Sequence, residues 1–122
     1  MRSKEFLTVN YKAGSIKTGL IVVEFKDHDH IVRYVPSLNL SGYGASSATA
    51  HEMLDHVVHD YFKSLFGLSE SKMYEELRKL GWVPNKIFKK KLSNQAYVDK
   101  DGILKNFNLS AETEIKEHFV SI

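Results

Sequence analysis

Apolar and polar residues alternate through the first third of the chain. Leu7, Val9 and Tyr11 are separated by Thr8 and Asn10, the period of two that gives a strand one apolar face. Turn residues Ala13, Gly14 and Ser15 follow, and a second strand is predicted over 18–26. There Ile21, Val23 and Phe25 share one face, while Leu20, Val22 and Glu24 share the other, mixed one. Asp27, His28, Asp29 and His30 make a compact polar turn before a third strand over 31–35. Connections this short favour antiparallel neighbours, so the segment predicts a β-meander. Pro36 has no amide hydrogen for a central ladder, and regular pairing should end or bulge there. Leu38 and Leu40 keep the alternation, so a short extended piece should resume before a turn at Gly42-Tyr43-Gly44.

The period then changes. Ala50, Met53, Leu54, Val57, Tyr61 and Leu65 fall into one stripe at helical spacing, predicting an amphipathic helix over Ser47–Phe66. Ser46 offers an N-cap hydroxyl and Gly67 a stop. Beside the stripe, His51, Asp55, Val58 and Phe62 widen the arc, which either packs under a second layer of the same chain or meets a partner. These four are the candidate interface residues. A shorter helix is predicted over 71–80, with Met73, Leu77 and Leu80 as its apolar edge. Gly81 fits a left-handed cap, Trp82 folds back on Leu77, and Pro84 bars continuation. Further on, residues 87–92 and 95–98 read as extended, 99–102 as a hairpin-type turn and 103–109 as its return strand. The last stretch reads either as a short helix capped by Ser110 or Thr113, or as an edge strand over 114–122.

These elements predict an α+β fold: an antiparallel β-meander packed by one long amphipathic helix, with a second short helix and a small C-terminal β region. A chain of 122 residues fits a single domain over 1–122, with a core over 1–67 and an extension over 68–122. The seam falls near residues 80–86. A net charge of +2 gives no whole-molecule field that would draw nucleic acid or a membrane. The absence of cysteine removes disulfides, thiolate metal sites and cysteine nucleophiles together, and fits a reducing compartment. No signal-type apolar segment follows Met1–Glu5, and the longest apolar run, 20–23, is far too short to span a bilayer. A cytoplasmic protein with no membrane partner is the expectation.

Candidate chemistry is sparse. On the long helix, His56 and His59 are three apart, and the pairs Asp55/His59 and His56/Asp60 are four apart, which puts two ligand types on one face. The same spacing describes a solvated face with weak ion pairs, and no third or fourth ligand is identifiable. His51-Glu52 opens like a His-Glu-x-x-His zinc helix, but position 55 is Asp, and His56 lies about 140° around the axis. Asp99, Asp101 and Gly102 resemble part of a calcium loop that lacks its third side-chain ligand and its closing glutamate. No serine sits in a Gly-x-Ser-x-Gly elbow, and Gly42 and Gly44 lack the glycine and lysine of a phosphate loop. An enzyme is not indicated, and no cofactor is called for. Lys86, Lys89, Lys90 and Lys91 form the one basic cluster. With Trp82 and Phe88 as stacking platforms, it makes nucleic-acid binding the alternative function. The plainer reading is an edge strand guarded by lysines.

Over residues 18–66 the chain resembles the HicB antitoxin family, whose domain sets antiparallel strands before a Pro-x-Leu turn and opens its helix with Gly-x-Thr/Ser followed by Glu-Ala. Pro36 and Leu38 match the turn, Gly44 and Ser46 the helix opening, and Ala50 the alanine; Met53, Leu54, Val57 and Tyr61 continue the match. Ser37 stands where the family has an acid, Asn39-Leu40 where it has Pro-Gly, and Thr49 where it has glutamate. The segment after Gly67 shows neither a ribbon-helix-helix nor a helix-turn-helix pattern. The resemblance implies a HicB-like β-β-β-α core, similar to a truncated ribonuclease H fold. It also implies a non-enzymatic protein-interaction role in a toxin–antitoxin system, masking a small basic RNA-cleaving toxin. Exposed strand edges add a homodimer, or a larger assembly, formed by sheet extension.

Overall fold

The computed structural model describes residues 5–88, 90–94 and 100–121. The fold is α+β, in the order β1 (Phe6–Asn10), β2 (Ser15–Asp27), β3 (His30–Val35), β4 (Leu40–Gly44), α1 (Ser47–Phe66), α2 (Glu70–Lys79), β5 (Trp82–Pro84), β6 (Lys91–Asn94), α3 (Lys100–Asn106) and β7 (Lys116–Val120). Seven strands make one sheet with the path β4-β3-β2-β1-β6-β5, and β7 is added against β2. The meander predicted from residues 7–35 is present, extended by β4 at one end. The C-terminal β region is no separate unit, because β6 pairs with β1 and β7 with β2.

β2 organises the sheet. Its residues 15–19 pair with β1, 20–24 with β7 and 23–27 with β3. Between the β1 and β3 pairings a side chain takes over the bonding: Glu5 Oε2 accepts from the Ile21 amide at 2.9 Å and from Ser37 Oγ at 2.7 Å. Trp82 Nε1 closes this seam by donating to the Ser37 carbonyl at 2.9 Å. Both faces of β2 are buried. Leu20 and Val22 join Leu7, Val9, Leu54, Val58, Met73, Leu77 and Leu92 in the larger core under α1 and α2. Val23 and Phe25 join Val32, Tyr34 and Ile103 in a second core on the other face.

α1 starts as predicted. Ser46 Oγ accepts from the Thr49 amide, and Thr49 Oγ1 accepts from the Ser46 amide, a reciprocal capping box. Gly67 ends the helix in right-handed geometry, with its amide bonded to the Ser64 carbonyl. The buried arc is turned from the expected stripe. It runs through Ala50, Leu54, Val58, Phe62 and Leu65, while Met53, Val57 and Tyr61 are half-buried at its flank. The cause lies in β4, over which α1 chiefly lies. Gly42 and Gly44 are strand residues rather than a turn, and their missing side chains let the backbone at Ala50 and Leu54 approach the strand directly.

α2 begins one residue earlier than expected, with Ser69 as its cap, and Gly81 adopts the predicted left-handed conformation at φ 98°. Two further expectations fail. Residues 100–106 form helix α3, not a hairpin turn with a return strand, because the second face of the sheet needs a cover. Ile103 and Leu104 are buried there, and Phe107 meets Phe25 and Tyr34 edge-on at 5.0 Å each. Tertiary burial outweighs the weak local preference of a stretch holding Gly102. Ile87 and Phe88 are loop residues, and β6 starts only at Lys91. The extended segment expected over 95–98 lies outside the described residues. Of the two readings left open for the last stretch, the strand is the one present.

Candidate functional site

The four candidate interface residues on α1 separate into two kinds. Val58 is 0% exposed and Phe62 6%, so both are core side chains and cannot meet a partner. Of the two readings of this arc, packing within the chain is the one that holds for Val58 and Phe62, which removes both as interface residues; it follows from the rotation of the buried arc. His51 is exposed and Asp55 half-buried, on the outward side. Glu52, His56, His59 and Asp60 lie exposed on that side too. The histidine–carboxylate spacing is used within the helix: His59 Nδ1 donates to the Asp55 carbonyl at 2.7 Å and sits 3.7 Å from its carboxylate. Among the described residues, no group of three or more histidine or carboxylate side chains converges to hold a metal.

Under the start of α1 lies a polar cluster. Arg33 Nη1 donates to Glu24 Oε1 at 2.9 Å, and Ser47 Oγ donates to Glu24 Oε2 at 2.9 Å. Both ion-pair side chains are about nine-tenths buried, at 10% and 12% exposure. Burial is the largest single influence on the Glu24 carboxyl and opposes its charge. The Ser47 hydroxyl, the hydrogen bond and charge of Arg33, and the charge of His118 together outweigh it, and the pKa falls below the ordinary value. Arg33 Nε is buried without a hydrogen-bond partner. The pair was legible in principle. The two-residue turn at His28-Asp29 puts Asp27 opposite His30, and stepping back three residues on each strand puts Glu24 opposite Arg33.

The basic segment falls on the β5–β6 hairpin, and here the stacking expectation fails in part. Trp82 is 1% exposed and forms part of the core, so it offers no platform for a base. Phe88 is 67% exposed, and Ile87 beside it 81%. Lys86, Lys90 and Lys91 are exposed, and Lys89 lies outside the described residues. The apex is ordered by its own hydrogen bonds. Asn85 Oδ1 accepts from the Ile87 and Phe88 amides at 2.9 and 3.0 Å, and the Asn85 amide donates to the Lys91 carbonyl at 2.7 Å. Lys91 Nζ sits over the Phe6 ring, 5.2 Å from its centre.

An open cleft of about 550 Å³ lies between the β2–β3 turn and the segment before β7, lined by Asp27, His28, Ser110, Thr113 and Glu114 among others. In it Ser110 Oγ and Thr113 Oγ1 pair at 3.2 Å, and His28 Nδ1 lies 2.8 Å from Asp27 Oδ1. Among the described residues, no helix is long and apolar enough to cross a membrane. No family model, no curated protein and no solved structure matches this chain.

Proposed function

We propose that this chain is a non-enzymatic, HicB-like interaction module that masks a small, basic RNA-cleaving toxin in the cytoplasm. The observation that carries the reading is the outward side of α1. It presents Glu52, Asp55 and Asp60 against a single fixed cation, Lys63, along 20 residues of rigid helix. A carboxylate-bearing face of that kind complements a basic partner and speeds its capture. The β2–β3–β4–α1 order supports the reading as well, being the arrangement that the resemblance over 18–66 implies. Fold alone hosts many functions, so the surface charge bears most of the weight. β4 and β5 end the strand path, and sheet extension through β4 would pair two copies as a homodimer.

The test is co-expression with any small basic protein encoded by an adjoining reading frame. The two should co-elute, RNA cleavage by the partner should be suppressed, and E52K/D60K should weaken the complex at least about tenfold without changing the melting temperature. The absence of such a neighbour, together with no specific partner retained by the immobilised chain, would remove the proposal. Size-exclusion chromatography with light scattering checks the dimer.

A further inference from the structure

The β5–β6 apex has a chemistry that folding does not explain. Ile87 and Phe88 are the two most exposed large apolar side chains among the described residues, at 81% and 67%. They are adjacent, and the Asn85 hydrogen bonds hold their backbone in place instead of letting it collapse onto the sheet. Lys86 directly precedes them and Lys90 follows two residues after Phe88, both exposed. A fixed apolar tip with a cationic collar has two natural counterparts, a nucleic acid and an anionic bilayer surface.

The residue types separate the two. A single-stranded nucleic acid calls for a groove with several π-faces, whereas this apex offers Phe88 alone, since Ile87 has no π-face and Trp82 is buried. The collar holds lysine and no arginine, the fork that pairs with phosphate and base edges. For a bilayer the same set fits at each level. An aliphatic and an aromatic side chain enter the boundary between headgroups and acyl chains, and long lysine stems run alongside while their ammonium groups reach anionic headgroups.

We infer that the β5–β6 apex is a peripheral membrane contact, with Ile87 and Phe88 inserting into an anionic lipid surface and Lys86 and Lys90 binding its headgroups. The contact needs no spanning segment, since two side chains at a hairpin tip reach only the boundary between headgroups and acyl chains. It is independent of the toxin-masking reading, since it uses the opposite charge on a different element.

The test is flotation of the whole protein with vesicles of neutral phosphatidylcholine and of phosphatidylcholine mixed with phosphatidylserine. The protein should float with the mixed vesicles at low salt and not with the neutral ones. Raising the salt shortens the reach of the lysine charges to a few ångströms and should release it. I87S/F88S should lower the partition by roughly tenfold or more, and K86E/K90E should do the same. Both variants lie at exposed positions, and unchanged near-ultraviolet dichroism of Trp82 verifies the fold. No flotation at low salt would overturn the inference, as would flotation undiminished in I87S/F88S. Binding to an oligonucleotide without binding to vesicles would overturn it in favour of nucleic acid.

Discussion

Replacing Gly42 by alanine tests how α1 is seated. A Cβ at this position would fall on the Leu54 amide nitrogen, with Leu54 Cα at 2.8 Å and the Ala50 carbonyl oxygen at 2.9 Å. All three obstacles are helix backbone, so no side-chain rotamer relieves them. The helix must lift by a sizeable part of an ångström, and a gap of that size forfeits a quarter to a half of each dispersion contact along it. Overpacking of this kind costs about 3 kcal/mol, at the upper end of the usual range, because five buried helix residues move together. The stiffer unfolded chain returns up to about 1 kcal/mol. The net loss of about 2 kcal/mol corresponds to a fall of roughly 8 °C in melting temperature for a domain of this size. Thermal and urea unfolding followed by circular dichroism should show this, with an unchanged urea slope. Gly14→Ala is the control. Gly14 has φ 64° and nothing within 4 Å of an added Cβ, so only backbone strain of about 1 kcal/mol is expected. If Gly42→Ala melts with the wild type, or loses less than Gly14→Ala, the close seating of α1 on β4 is wrong.

Other outcomes follow from the same packing. Phe62→Ala should cost about 3–5 kcal/mol in urea unfolding, while His51→Ala should stay within about 0.5 kcal/mol. Arg33→Met leaves the Glu24 carboxylate buried without its cation and should cost about 3 kcal/mol, whereas the double variant E24L/R33M should recover much of the loss. Because the Glu24 pKa is lowered on folding, its contribution to stability is complete above the unfolded carboxyl value, near pH 4.5, and is lost as the pH falls through the folded value. Urea midpoints measured from pH 6 to pH 3 should therefore decline, and less steeply in E24Q. Ser47→Ala removes one hydroxyl that holds Glu24 ionised and so raises the folded value toward the unfolded one; its decline should start at the same pH, be smaller, and end at a higher pH.

Where the signal was local, the sequence was enough. Alternation marked β1 to β3, Ser46 and Gly67 fixed the bounds of α1, and Gly81 fixed the end of α2, because each rests on residues close together in the chain. The rotation of α1 was not legible, since it is set by the bare backbone of Gly42, 12 residues before Leu54. α3 was missed for a related reason. Nothing around Gly102 announces a helix, and the demand for one comes from Val23, Phe25, Val32 and Tyr34, 68 to 79 residues earlier. The candidate surface was half legible: His51 and Asp55 face outward, whereas Val58 and Phe62 could be excluded only once the helix was docked. From its place in the chain, Trp82 can either fold inward or serve as a platform for bases. Its burial, with Nε1 bonded to the Ser37 carbonyl, leaves only the first reading.

β2 is a party wall with tenants on both sides, and this shapes how the molecule comes apart. Amide exchange should be slowest at Val22 and Val23, since freeing them means vacating two chambers at once. Loosening either chamber from afar, by a cavity under α1 or by a frayed α3, should speed exchange on the same ribbon, so damage on one side is felt by the other.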